Sequence, residues 1–183
     1  FARMFMDRFP LLPVEDEGRL HDAVLRERFI ESIFVYARWT ETLAIKPFLP
    51  GLVRFHTEHK LLLMSHSSKH LSLMGKLVAR GKQLSAGTLV NDYQRLLAEA
   101  LRLTATRSKN TNVLQHAMGY FKKELALDEK QELLESIRQY YDGNVPLIVP
   151  VTLLNHYVRK FRQPYLQEQW YLHPHPIELQ LRN

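Results

Sequence analysis

Cysteine is absent from the 183-residue chain. Its absence excludes disulfides, thiolate metal sites, cysteine-bound iron–sulfur clusters and a cysteine nucleophile. No apolar run approaches the roughly 20 residues that a membrane-spanning helix needs. No signal peptide is visible at the N-terminus, so a cytoplasmic protein without membrane contact is expected. The seven glycines and nine prolines punctuate the chain and form no low-complexity segment. No GxSxG, P-loop or local Ser–His–Asp signature is present. The chain opens on Phe1 instead of Met, as expected of a fragment or processed product.

One shortage is local. Residues 100–123 contain no Asp or Glu but carry Arg102, Arg107, Lys109, Lys122 and Lys123. A second basic block, residues 54–82, has six bases against Glu58, whereas residues 1–41 carry eight acids against six arginines. The net charge of +6 is therefore concentrated in two blocks behind an acidic lead-in, the pattern of a protein with a polyanionic partner. A solvated, merely basic surface would look the same in the sequence.

Apolar spacing predicts a mainly α, single compact domain of six or seven helices with an extended, Pro- and aromatic-rich C-terminal segment. Residues 1–20 read as a linker, a short strand and turn, or a remnant of an upstream domain; residues 21–183 form the helical domain. Asp22 can cap a helix reaching Ala44. Gly51 opens a second helix, apolar around most of its circumference, which Ser65–Ser68 breaks. Ser67 or Ser68 can cap a third that Gly81 ends, and Ser85 a fourth over Ala86–Leu103. Residues 104–111 read as a polar connection before a helix over Asn112–Leu125. Asp128 and Gln131 suggest a capping box for a helix with Leu133, Leu134, Ile137, Tyr140 and Tyr141 on its core face and Gly143 as its stop. NVPLIVPV reads as a rigid connector because of Pro146 and Pro150, with a last helix over Thr152–Phe161. The segment around Trp170–Tyr171–Leu172 is expected to wrap the body.

The helix over Asn112–Leu125 is two-faced. At about 100° per residue, Leu114, Met118, Phe121 and Leu125 share one side. Asn112, His116, Gly119 and Lys123 share the other, flanked by Gln115 and Lys122. Amides, an imidazole, ammonium groups and a glycine suit close approach to a phosphate backbone. Tyr120, and His156, Tyr157, Arg159 and Lys160 further on, add the aromatic–basic interleaving used on unpaired bases.

Other histidines invite a metal. His56, His59 and His66 fall on one stripe with Leu52, Phe55 and Leu63, and no carboxylate joins it, so hydrogen-bonded core histidines are expected there. His173 and His175 alternate with prolines, which suits a stiff tail. Glu15, Asp16 and Glu17 read as a solvated charge run. No catalytic or metal-ligating set is assigned.

Three ordered blocks carry a family resemblance: FHTEHKLLLMSHSSKHLSLMGKLVA (Phe55–Ala79), NTNVLQHAMGYFKKEL (Asn110–Leu125) and GNVPLIVPVTLLNHYVRK (Gly143–Lys160). They resemble the YbgA-type domain of bacteria, long a domain of unknown function, and the final PYLQEQWYLHPHPIELQLRN fits it too. FARMFMDRFPLLPVEDEGRL resembles the junction where that domain follows a TudS-type thiouracil desulfidase domain in tRNA 4-thiouridine desulfidases. The resemblance implies that this chain carries no cofactor, that an iron–sulfur cluster sits in the upstream domain, and that tRNA and that domain are the partners. The nucleic-acid-binding candidates are Lys60, Arg107, Lys109, Asn110, Asn112, Gln115, His116, Tyr120, Lys122, Lys123, His156 and Arg159; His56, His59 and His66 are structural or possible ligand histidines. Two alternatives stay open: a histidine-based metal-binding hydrolase, and a protein–protein docking domain.

Overall fold

The computed structural model describes residues 2–9, 12–176 and 179. Its regular elements among those residues are all helices, packed in one compact body. Ten α-helical segments are present: α1 (Ala2–Arg8), α2 (Ala23–Ala44), α3 (Phe48–Glu58), α4 (Lys60–His66), α5 (Ser68–Ala79), α6 (Ala86–Leu101), α7 (Arg107–Met118), α8 (Leu127–Asp142), α9 (Ile148–Lys160) and α10 (Pro164–Gln167). Part of the expected N-terminal strand, Pro10 and Leu11, and most of the last seven residues lie outside the described residues.

Caps account for several boundaries. The Asp22 carboxylate accepts from the amides of Val24 and Leu25, Ser67 Oγ from His70, and Ser85 Oγ from Thr88. Each satisfies a donor that the first helical turn leaves unpaired. Gly143 ends α8 in the left-handed conformation, with φ of 88°, which suits a residue without Cβ.

The departures from expectation have local causes. Pro50 lies in the first turn of α3 and Pro150 in that of α9. The first amides of a helix have no intrahelical acceptor, so proline removes nothing there. NVPLIVPV is thus the entry to α9 instead of a connector. Similarly, α7 begins at Arg107, five residues before the expected start, because Thr106 Oγ1 accepts from the Lys109 amide. It ends at Met118, and Gly119–Phe121 continues as a 3-10 turn. At α8 the expected Asp128–Gln131 box does not form. Glu129 reaches back to the Ala126 amide at 2.9 Å, and alanine has no oxygen to reciprocate.

The core is built around α4, whose Leu61, Leu62 and Leu63 are fully buried and which touches α3, α5, α6 and α7. The α3–α4 corner at His59 leaves backbone groups that one side chain serves: Gln169 donates to Thr57 O and accepts from the Leu61 amide. The C-terminal segment does wrap the body. The Trp170 amide donates to Glu58 O, the Asn155 side chain to Leu172 O, and Arg38 to Pro174 O at 2.6 Å. The Arg38 guanidinium also lies 3.6 Å from the Trp170 ring centre.

The acidic lead-in is not a solvated run at Glu15. Its side chain is 6% exposed, bound by Arg28 at 2.9 Å and Arg19 at 2.8 Å, tying residues before α2 to α2 itself.

Candidate nucleic-acid interface

Helix α7 turns Asn110, Val113, Leu114 and Ala117 inward. Asn112, Gln115 and His116 are exposed, with Lys122 and Lys123 just beyond the 3-10 turn. Two adjoining depressions lie on this side. One, about 570 Å³, runs between α7 and α8, lined by Asn112 and Gln115 opposite Leu134, Ile137, Arg138 and Tyr141. The other, about 320 Å³, is lined by Gln115, His116, Gly119, Tyr120 and Lys122. Gln115 belongs to both. No carboxylate lines either depression, although α8 as a whole carries five acids against Lys130 and Arg138. Leu134 and Tyr141, expected in the core, are instead 40% and 55% exposed and face the first depression.

Tyr120 is half-buried and stacks on Tyr165 with ring centres 4.9 Å apart, while the His116 ring meets it edge-on at 5.7 Å. Burial, reinforced by Tyr120, pushes the Tyr165 hydroxyl well above its ordinary pKa. The Tyr165 hydroxyl therefore stays protonated, and the stack offers a flat aromatic flank beside Lys122.

Other candidates have internal partners. Lys109 Nζ donates to His66 O at 2.7 Å and Thr104 O at 2.8 Å. Asn110 is buried; its Oδ1 accepts from the Tyr171 hydroxyl at 3.0 Å, fastening the C-terminal wrap to α7. The Arg107 guanidinium lies 5.8 Å from the Tyr140 ring centre, and a Cβ at Gly143 would meet its Nη1 at 2.5 Å. Lys60 is half-buried and lowers the pKa of His56, second to burial. His156 and Arg159 are exposed on α9 but line neither depression. Spacing missed Arg138 and Tyr141; their exposure, facing an amide-bearing helix, is a tertiary fact.

The three core histidines lie apart from this face. Burial pushes His59 down to about 3, although its Nδ1–H donates to Phe55 O at 2.7 Å. Its Nε2 is buried without a hydrogen-bond partner. His56, hydrogen-bonded to the Tyr93 hydroxyl at 3.1 Å, is pushed down to about 4 by burial and by Lys60. His66 differs. Burial alone would lower its pKa, but the Glu31 carboxylate at 2.6 Å and Leu103 O at 2.6 Å raise it above the ordinary value. Both of its ring nitrogens are engaged. Among the described residues, no group of three or more His, Asp or Glu side chains is placed to hold a metal ion, and no helix is long and apolar enough to cross a membrane.

A YbgA protein of Escherichia coli K12, described as uncharacterized, is 29% identical over 134 residues, covering 73% of this chain and 79% of its own length. No solved structure matches the chain. Residues 60–176, from the first residue of α4 through the C-terminal wrap, match the family described as a protein of unknown function, DUF1722, and with most of its length matched the chain belongs to that family as a YbgA-type domain.

Proposed function

We propose that this chain is a cytoplasmic tRNA-binding module that takes up RNA along the exposed side of α7 and the 119–123 turn. It presents thiolated tRNA to a separate TudS-type desulfidase domain that holds the iron–sulfur cluster. The chain contributes recognition and not chemistry. The observation that carries the reading is the α7 face itself: Asn112, Gln115, His116 and Lys122 line two adjoining depressions that no carboxylate enters. Lysines supply the salt-dependent attraction to phosphates, while amides and imidazole can bond sugar and base edges. The desulfidase partner rests on the sequence resemblance at the N-terminal junction.

A gel-shift salt titration with tRNA tests it. Replacing Lys122 and Lys123 together by Ala should weaken binding to all RNA sequences and flatten the plot of log affinity against log salt by about one to two units. An unchanged affinity and slope would remove these lysines from the interface. Equal affinity for tRNA and for duplex DNA of the same charge would reduce the proposal to unspecific polyanion binding.

A further inference from the structure

The groove between α7 and α8 has features that a phosphate-tracking surface does not need. Its floor is apolar, from Leu134 and the buried Ile137. Tyr141, 55% exposed, supplies an aromatic ring at its edge. Across from them, Asn112 and Gln115 are exposed amides with donors and acceptors. Arg138 is the single charged side chain on the lining; its side chain is 75% exposed and its ion pair with Asp142, at 3.6 Å, is loose. Exposed pairs of this kind hold weakly, so the guanidinium is free to turn toward an anion.

An apolar floor, a flat π surface, amides that match a hydrogen-bonding edge and one cation describe a particular guest. It is flat and aromatic, polar at its rim, and attached to a negative charge. At about 570 Å³ the groove falls within the range of sites that enclose small organic groups. A duplex cannot use it, because paired bases present no free face. An unpaired nucleotide can stack its base on an aromatic ring and bond through its exposed edge.

The geometry points to this groove as a binding site for an unpaired nucleobase, stacked on Tyr141 and read by Asn112 and Gln115. Its phosphate lies toward Arg138, and the strand continues past Gln115 to the depression at His116 and Lys122. The inference deepens the RNA-binding reading above and rests on it: it makes the ligand a single-stranded segment of the RNA.

Fluorescence anisotropy on the whole chain tests it, with a labelled single-stranded RNA 12-mer, a blunt RNA duplex of the same length and a tRNA. The single strand should bind more tightly than the duplex. Tyr141→Ala should weaken single-strand binding by about tenfold or more, as loss of a base–aromatic stack does, and leave duplex binding unchanged. Tyr141→Phe should bind like the parent, and Gln115→Ala should lose affinity in the same selective way. Tyr141 and Gln115 are exposed, and matching thermal melts would show that each variant is folded. If single strand and duplex bind equally, or Tyr141→Ala binds single strand as the parent does, the base site is overturned while the lysine-dependent binding stands. If no RNA binds at all, both readings fall, and the Leu134–Tyr141 stripe becomes a protein-docking groove.

Discussion

His59 and His116 each recur at helical spacing, His59 on a stripe shared with Leu52, Phe55 and Leu63 and His116 on a polar one, and the fold treats them in opposite ways. His59 is fully buried at the α3–α4 corner, stacked on Phe55 with ring centres 4.0 Å apart, and held neutral by burial. His116 is exposed, beside a tyrosine stack and a lysine. The neighbours explain the difference. The His56–His66 stripe shares its face with leucines that pack on every side of α4, whereas the α7 stripe faces outward between two depressions. Spacing selects which residues share a face; packing decides whether that face meets leucine or water.

The contrast breaks most sharply at the buried pair. Removing one partner of a buried ion pair leaves the other charge uncompensated, which costs about 3–5 kcal/mol. Glu31→Ala strands His66, which is 1% exposed, and should lower the unfolding free energy read from a urea titration by an amount in that range. RNA affinity should be unchanged at temperatures where the variant is folded. The pH profile sharpens the same point. The raised pKa of His66 means its stabilisation is complete below the ordinary histidine pKa and is lost as pH rises through the folded value. His56 and His59 act in reverse: depressed to about 4 and about 3, they lose stability as pH falls from about 6.5 toward those values. The parent should therefore be most stable near neutral pH, and Glu31→Ala should abolish the decline on the alkaline side while keeping the acid one. A flat alkaline limb in the parent would contradict the assignment of His66 as a raised, paired imidazole.

Asn110 tests the boundary between the two regions, because it belongs to α7 but is 6% exposed. Asn110→Ala removes the buried hydrogen bond between the Tyr171 hydroxyl and Asn110 Oδ1, a loss of about 1 kcal/mol. The expected result is a lower thermal midpoint with tRNA affinity intact. Weaker RNA binding without a stability change would return Asn110 to the interface.

These cases also mark what the residue order could disclose. The helical class, the Asp22, Ser67, Ser85 and Gly143 boundaries and the wrap of Trp170–Leu172 are local or compositional, and they are legible. The start of α7 was hidden because TRSKNTN has the composition of a loop, and only Thr106 reveals it as a capped first turn. Pro50 and Pro150 hid two helix starts because proline is tolerated where a helix begins and disruptive where it continues. Lys109 and Asn110 looked like binding residues because their partners, His66 O and Tyr171, are 43 and 61 residues away. The reverse error hid Tyr141 and Leu134, which share the spacing of core residues but meet the α7–α8 groove.

The smallest expected effect separates stability from binding by sign. Gly119 sits at the end of α7 in a right-handed helical conformation, with φ of −58°. A methyl there would meet only Lys122 Cε, at 3.8 Å. Nothing in the fold requires glycine at this position. Gly119→Ala should stabilise the chain by about 0.4–1 kcal/mol, because the unfolded state loses freedom that the folded state never used. Gly119 also lines the depression beside His116 and Lys122, where an RNA backbone would pass closest. A variant that melts higher yet binds tRNA more weakly would show that the glycine serves the partner. One that melts higher and binds equally would move the strand's path off the 119–123 turn, leaving the α7–α8 groove to carry recognition alone.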